Sequence, residues 1–139
     1  MKRPEGDRGT VAMFTTIFAV FVIALAGLVV DGGLAIHARQ RAADIAEQAA
    51  RAAADDVDVA YLRQTGKARI VATGEPCRRA RLLASKYPEV KGQIGCDSSG
   101  GQAARVAVQI TVKLQLLGAF GFPDMTMSST ATAQPQEGI

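Results

Sequence analysis

The stretch from Thr10 to Val30, TVAMFTTIFAVFVIALAGLVV, constrains this chain more than any other, because it holds no charged residue and no proline. A helix of roughly 21 residues rising about 1.5 Å each is about 31 Å long, the thickness of a bilayer's hydrocarbon core. A helix packed on a soluble core shows a polar face at every turn, whereas this one is apolar all round. Its hydroxyls, on Thr10, Thr15 and Thr16, can return their hydrogen bonds to carbonyls one turn back. The stretch therefore reads as a transmembrane helix over 10–30, with residues 1–9 as a cytoplasmic tail and residues 31–139 as an exported domain.

Two features bear on topology. Arg8 abuts the apolar stretch while the far end meets Asp31 first, which favours a cytoplasmic N-terminus; Arg39, Arg41 and Arg51 beyond that end weigh the other way. The competing reading is a secretory signal. Ala24-Leu25-Ala26 has the small-x-small form of a cleavage site, and cutting near Ala26 releases a small secreted binding domain beginning at Gly27. Against it, the apolar run continues through Leu28, Val29 and Val30, long for a signal core.

Asp31-Gly32-Gly33 punctuates the exit. Two glycines weaken a helix by about 1 kcal/mol each relative to alanine, so a bend or local hinge is expected there. Helix-forming residues resume at once, and Leu34 to about Gln64 reads as one helix ending near Gly66. Along it Ala38, Ala42, Ile45, Ala49 and Ala53 recur at three- and four-residue spacing as a narrow stripe of mostly small residues. Such a stripe packs either on the chain's own sheet or on a helix of another subunit, and both uses are open. Glu47 and Arg51 are placed for an i,i+4 pair.

The rest reads as a small mixed domain. Lys67 to Gly74 is a connector with a short extended piece at Ile70-Val71, and Pro76 suits the first position of a second helix, about 76–86, ended by Pro88. Strands are expected at about 90–96, 105–116 and 125–134. In the second, Val106, Val108, Ile110, Val112, Leu114 and Leu116 alternate with Arg105, Ala107, Gln109, Thr111, Lys113 and Gln115. Its connection to the third, Gly118 to Asp124, carries Phe120 and Phe122, read as a plug for the end of the core rather than a partner-binding tip. The fold class is α+β: a long N-terminal helix continuing from membrane to ectodomain, a short second helix and a small antiparallel sheet. Much of the apolar content is alanine and there is no Trp, so the core must be thin.

Chemistry is sparse. Cys77 and Cys96 are the two cysteines; in an exported domain a disulfide between them is expected, with free buried thiols as the alternative. The lone His37 completes no metal site. Asp55, Asp56 and Asp58 lack calcium-loop spacing and read as a solvated helical face. Arg78, Arg79 and Arg81, the densest basic cluster, also read as a solvated face. The net charge of +3 is spread without a run of five like charges, so nucleic acid is not an expected partner. No nucleophile beside a base and no paired carboxylates are legible, so an enzyme is not expected, nor a cofactor or small-molecule substrate.

The layout resembles the TadE/TadG-like pilus-assembly family of tight-adherence (Flp-type) systems. The residues that carry the resemblance are Arg8-Gly9-Thr10, the apolar helix, Leu28-Val29-Val30-Asp31-Gly32-Gly33, and Ala38-Arg39-Gln40-Arg41-Ala42-Ala43-Asp44. It extends more loosely to Leu116-Leu117-Gly118 through Phe122 and the Thr/Ser/Ala-rich final strand. It implies a pilin-like, single-pass membrane protein with an exported C-terminal domain, partnered by other pilus-assembly or pseudopilin-like subunits. Many pseudopilins are cut after a glycine, with a glutamate five residues beyond. Counting from Gly9, with Thr10 as the new first residue, that position is Phe14. The missing glutamate would leave a new terminal amine uncompensated in an apolar filament core, which favours a membrane-retained accessory component or minor subunit.

Overall fold

The computed structural model describes residues 7–136, with side chains from Gly9 onward. Most of the expected N-terminal tail and the last three residues of the chain lie outside that range. The first helix, α1, runs Asp7–Ala54 for 48 residues without interruption, about 72 Å at 1.5 Å per residue. Asp31-Gly32-Gly33 does not break it. The glycine pair lies well inside a long helical run, with Leu34, Ala35 and Ala38 following, and propagation along that run outweighs a cost of about 1 kcal/mol per glycine.

The expectation that this helix continues to Gln64 is corrected. It ends at Ala54, and a separate helix α2 spans Val59–Thr65. The cause is local competition for backbone groups across Asp55-Asp56-Val57-Asp58. Val57 bridges Ile70 in antiparallel fashion, the Val71 N–H donates to the Asp56 carbonyl at 2.9 Å and the Asp58 N–H to the Arg69 carbonyl at 2.8 Å. The Asp58 carboxylate then accepts from the Tyr61 N–H at 3.0 Å as the N-cap of α2. Aspartate and valine are poor helix-interior residues, and aspartate is a preferred cap. Gly66, at φ 72°, closes α2 in the left-handed conformation that glycine adopts freely.

Helix α3 spans Glu75–Ala84, with Pro76 in its first turn. Three strands follow, β1 Gly95–Asp97, β2 Ala104–Val112 and β3 Met125–Ala133, in one antiparallel sheet ordered β1-β2-β3. The first strand is shorter than expected. Residue Val90 makes only an isolated bridge to Ile110, and pairing resumes at Gly95 opposite Ala107. The second strand is trimmed at its far end: pairing with β3 stops at Val112↔Met125, although the sequence alternation runs on to Leu116.

The core lies between the sheet and the C-terminal half of α1. Val106, Val108 and Ile110 of β2 are buried with Ile45, Ile70 and a layer of alanines: Ala42, Ala46, Ala49, Ala50, Ala53 and Ala54 from α1, Ala80 and Ala84 from α3. Alanine supplies little apolar area per residue but lets backbones approach closely, which suits a thin two-layer domain. Cys77 and Cys96 are joined, 2.02 Å between sulfurs and 5.6 Å between Cα atoms, tying α3 to β1. Around the rim, Arg41 donates to Glu89 at 2.9 Å and Tyr87 to Gln48 Oε1 at 2.9 Å.

Candidate functional site

Because α1 is continuous, its two halves differ in what covers them. From Ala42 on, the inward stripe is covered by the chain's own sheet and α3; Ala42, Ile45, Ala49 and Ala53 are all buried, and Ala38 partly so. Of the two uses left open for this stripe, the folded domain occupies it with the intrachain one. From Val11 to Val30 the large apolar side chains stand exposed, on the stretch of α1 long and apolar enough to cross a membrane. Exposed apolar surface on this scale needs another apolar phase, and the length and composition fit a membrane anchor. Two of the hydroxyls behave as expected: Thr15 donates to the Val11 carbonyl at 2.8 Å and Thr16 to that of Ala12 at 2.9 Å. Phe14 is exposed and stacks on Phe18 with ring centroids 6.2 Å apart.

One place on this apolar half is covered. Asp31 is only 1% exposed, and its carboxylate accepts three consecutive backbone N–H groups from the far end of the chain. Gln115 donates to Oδ1 at 2.8 Å, Leu116 to both oxygens at 3.3 and 3.2 Å, and Leu117 to Oδ2 at 2.6 Å. An ionised carboxylate is an acceptor-only group with about four lone-pair sites, so it can satisfy all three. One turn earlier on the same face sits Gly27, where an added Cβ would lie 3.3 Å from the Leu116 Cβ. The missing side chain lets the loop approach the helix closely.

The loop held here joins β2 to β3. Its centre is a 3₁₀ turn over Gly118–Phe120, closed by Gly121 at φ 88°. The reading of Phe120 and Phe122 as a core plug is corrected: they are 71% and 57% exposed. They line an apolar cleft of about 450 Å³ together with Val20, Ile23, Ala24 and Gly27 of α1. The core needs no plug there, because β2 leaves the sheet at Val112 and the chain turns along α1 instead.

Sequence reasoning missed the role of Asp31, taking it as part of an exit signal. A signal was present: Asp31 is the only Asp, Glu, Lys or Arg between Arg8 and Arg39, so it has no partner on its own helix. The acidic trio is corrected too. It lies around the turn between α1 and α2; Asp58 pairs with Arg69 at 2.8 Å and Asp56 with Arg79 at 3.7 Å. The Tyr61 N–H and then Arg69 hold the Asp58 carboxyl below the usual aspartate value of 3.8. Arg69 also stacks over the Tyr61 ring at 4.2 Å. In the basic cluster Arg78 is engaged by Glu75. Among the described residues, no group of three His, Cys, Asp or Glu side chains is gathered as a metal site.

No curated protein and no solved structure matches the chain. The span that carries the apolar stretch, the Gly27–Asp31 seat and the alanine stripe is the part with a recognisable likeness: residues 9–56 match the Tad family, described as "Putative Flp pilus-assembly TadE/G-like".

Proposed function

We propose that this protein is a non-enzymatic, membrane-anchored, pseudopilin-like component of a Tad/Flp-type pilus assembly or a related secretion apparatus. Its N-terminus faces the cytoplasm, its C-terminal domain is extracytoplasmic, and it acts by packing its helix with other subunits. The observation that carries this reading is the division of α1. The half beyond Ala38 is consumed by the chain's own fold, whereas Val11 to Val30 presents bare apolar surface in direct helical continuity with it. Within a bilayer such surface faces lipid or the helices of neighbours, whose association rests on close van der Waals packing. The match over residues 9–56 supports the pilus-assembly context. The small-residue stripe from Ala38 to Ala53 is not the contact surface in this reading, since its use by a partner requires the domain to open.

Anchoring without pilin-type cleavage at Gly9 is the form of the proposal that Phe14 favours. A secreted domain starting at Gly27 would lose Val20, Ile23 and Ala24, the α1 side chains that line the cleft with Phe120 and Phe122. Fractionating native cells and determining the mature N-terminus tests both. Met1 in the membrane fraction is expected; Thr10 would show pilin-type processing, and Gly27 in the soluble fraction would overturn the anchor.

A further inference from the structure

The geometry points to a second membrane-contacting element in this protein: the loop Leu116–Pro123 lies within the bilayer beside α1, with Phe120 and Phe122 among the acyl chains of the leaflet on the Val30 side. This rests on the reading of Thr10–Val30 as a membrane span.

Three independent observations carry it. The first is register. On α1 the change from apolar to polar falls between Val30 and Asp31; on the loop it falls between Gln115 and Leu116, after which Leu-Leu-Gly-Ala-Phe-Gly-Phe-Pro holds no polar side chain until Asp124. The Asp31 carboxylate and the Gln115 N–H, 2.8 Å apart, set these two boundaries at one level.

The second is length. The loop lies against α1 between Gly27 and Val20, roughly 5 to 15 Å from Val30 towards the N-terminus at 1.5 Å per residue. If the bilayer stopped short of the loop, only Thr10 to Ala19 would remain in hydrocarbon. That is about 15 Å, half the thickness to be crossed. A span that includes Val30 places the loop inside.

The third is the state of the backbone. Irregular chain at membrane depth must have its polar groups satisfied by protein. The N–H groups of Gln115, Leu116 and Leu117 go to Asp31. Those of Ala119, Phe120, Gly121 and Phe122 go to carbonyls of the loop itself, at 3.0 to 3.2 Å, and Pro123 has no N–H, so six of the seven N–H groups from Leu116 to Phe122 are paired within the protein, Gly118 being the exception.

The chain contains no Trp, so Phe120→Trp, Phe122→Trp and Phe18→Trp each create a single tryptophan, excited selectively over the two tyrosines. The full chain is reconstituted in phosphatidylcholine vesicles, with and without lipid brominated along the acyl chain. The Phe18→Trp protein reports the span, and the loop variants report the loop. Quenching of both loop variants by about two-fold or more, strongest with bromines in the outer part of the acyl chain, is the expected result for groups at this depth. If Phe18→Trp is quenched and neither loop variant is, the loop proposal is overturned while the anchor stands. That holds whether the loop tryptophans are open to aqueous iodide or shielded by a second copy of the chain. If Phe18→Trp is itself unquenched, the anchor fails and the loop proposal with it.

Discussion

Asp31 and Leu117 lie 86 residues apart in sequence and 2.6 Å apart in space, joined from the Leu117 N–H to Oδ2 of the buried carboxylate. With the neighbouring bonds from Gln115 and Leu116, this one side chain fixes the loop between β2 and β3 to the point where α1 leaves its apolar stretch. Removing the acceptor leaves three N–H groups without the partner they have at this partly buried contact, and an unmade bond of that kind costs more than a bond made gains. Asp31→Ala is therefore expected to lower amide-exchange protection at Leu116 and Leu117 by about tenfold or more, read by hydrogen exchange in detergent micelles. Asp31→Asn retains one acceptor oxygen and is expected to fall between the two.

Gly27 offers a graded test of the same contact. Gly27→Ala gains up to about 1 kcal/mol of helix propensity, set against a Cβ placed 3.3 Å from Leu116, so near-neutral stability is expected. Gly27→Leu cannot be accommodated without moving the loop. Its expected signature is exchange protection lost from Leu116 to Phe122 while β2 and β3 stay protected.

The alanine layer predicts where bulk is refused. Ala49 is fully buried between α1 and the sheet, and Ala49→Leu is expected to destabilise the domain by about 1–3 kcal/mol through overpacking. Val29→Leu, on the exposed apolar half, is expected to change folding by less than about 0.5 kcal/mol. Urea unfolding followed by circular dichroism distinguishes the two, and equal effects would contradict this division of α1.

The Cys77–Cys96 bond closes a loop of 19 residues' separation. Its loss is expected to cost about 3 kcal/mol. The double replacement by alanine should cost no more than either single one, since both remove the same bond.

Asp58 supplies a pH dependence. Its carboxyl lies below 3.8 in the folded chain because the Tyr61 N–H and Arg69 favour the charged form. The unfolded chain therefore takes up a proton first as acid is added. The stabilisation is present above about pH 4 and is lost as pH falls through the lowered folded value. Melting temperature measured from pH 7 to pH 2 is expected to fall in that acid window, and to fall less there for Asp58→Asn, which keeps a capping oxygen without a titrating group.

Much of this architecture was legible in the sequence because it rests on local periodicity. The apolar run announced the exposed half of α1, the three- and four-residue spacing from Ala38 to Ala53 marked its buried face, and strict alternation located β2. What was not legible depended on partners distant in sequence. The end of α1 at Ala54 follows from pairing with Ile70 and Val71; without that pairing, Asp55 to Gln64 offers no proline or glycine to stop a helix. The end of β2 at Val112 follows from Asp31 drawing away Gln115 to Leu117, while Leu114 and Leu116 continue the alternation regardless. For Phe120 and Phe122 the sequence carries no sign of which apolar surface they meet: the one beside them belongs to α1 rather than to the sheet.

The Asp31 contact also acts as a splint. Gly32-Gly33, the weakest point of α1, has the loop fastened just before it and the sheet packed on the helix from Ala38 onward, with β2 linking the two attachments. A bend there would have to strip the loop or shear the sheet. Some 23 residues of α1 lie beyond Asp31, a lever of about 35 Å, so a tilt of about 20°, common for membrane helices, would swing its far end by about 12 Å. Any lean of the helix is thereby passed on to the sheet packed against it.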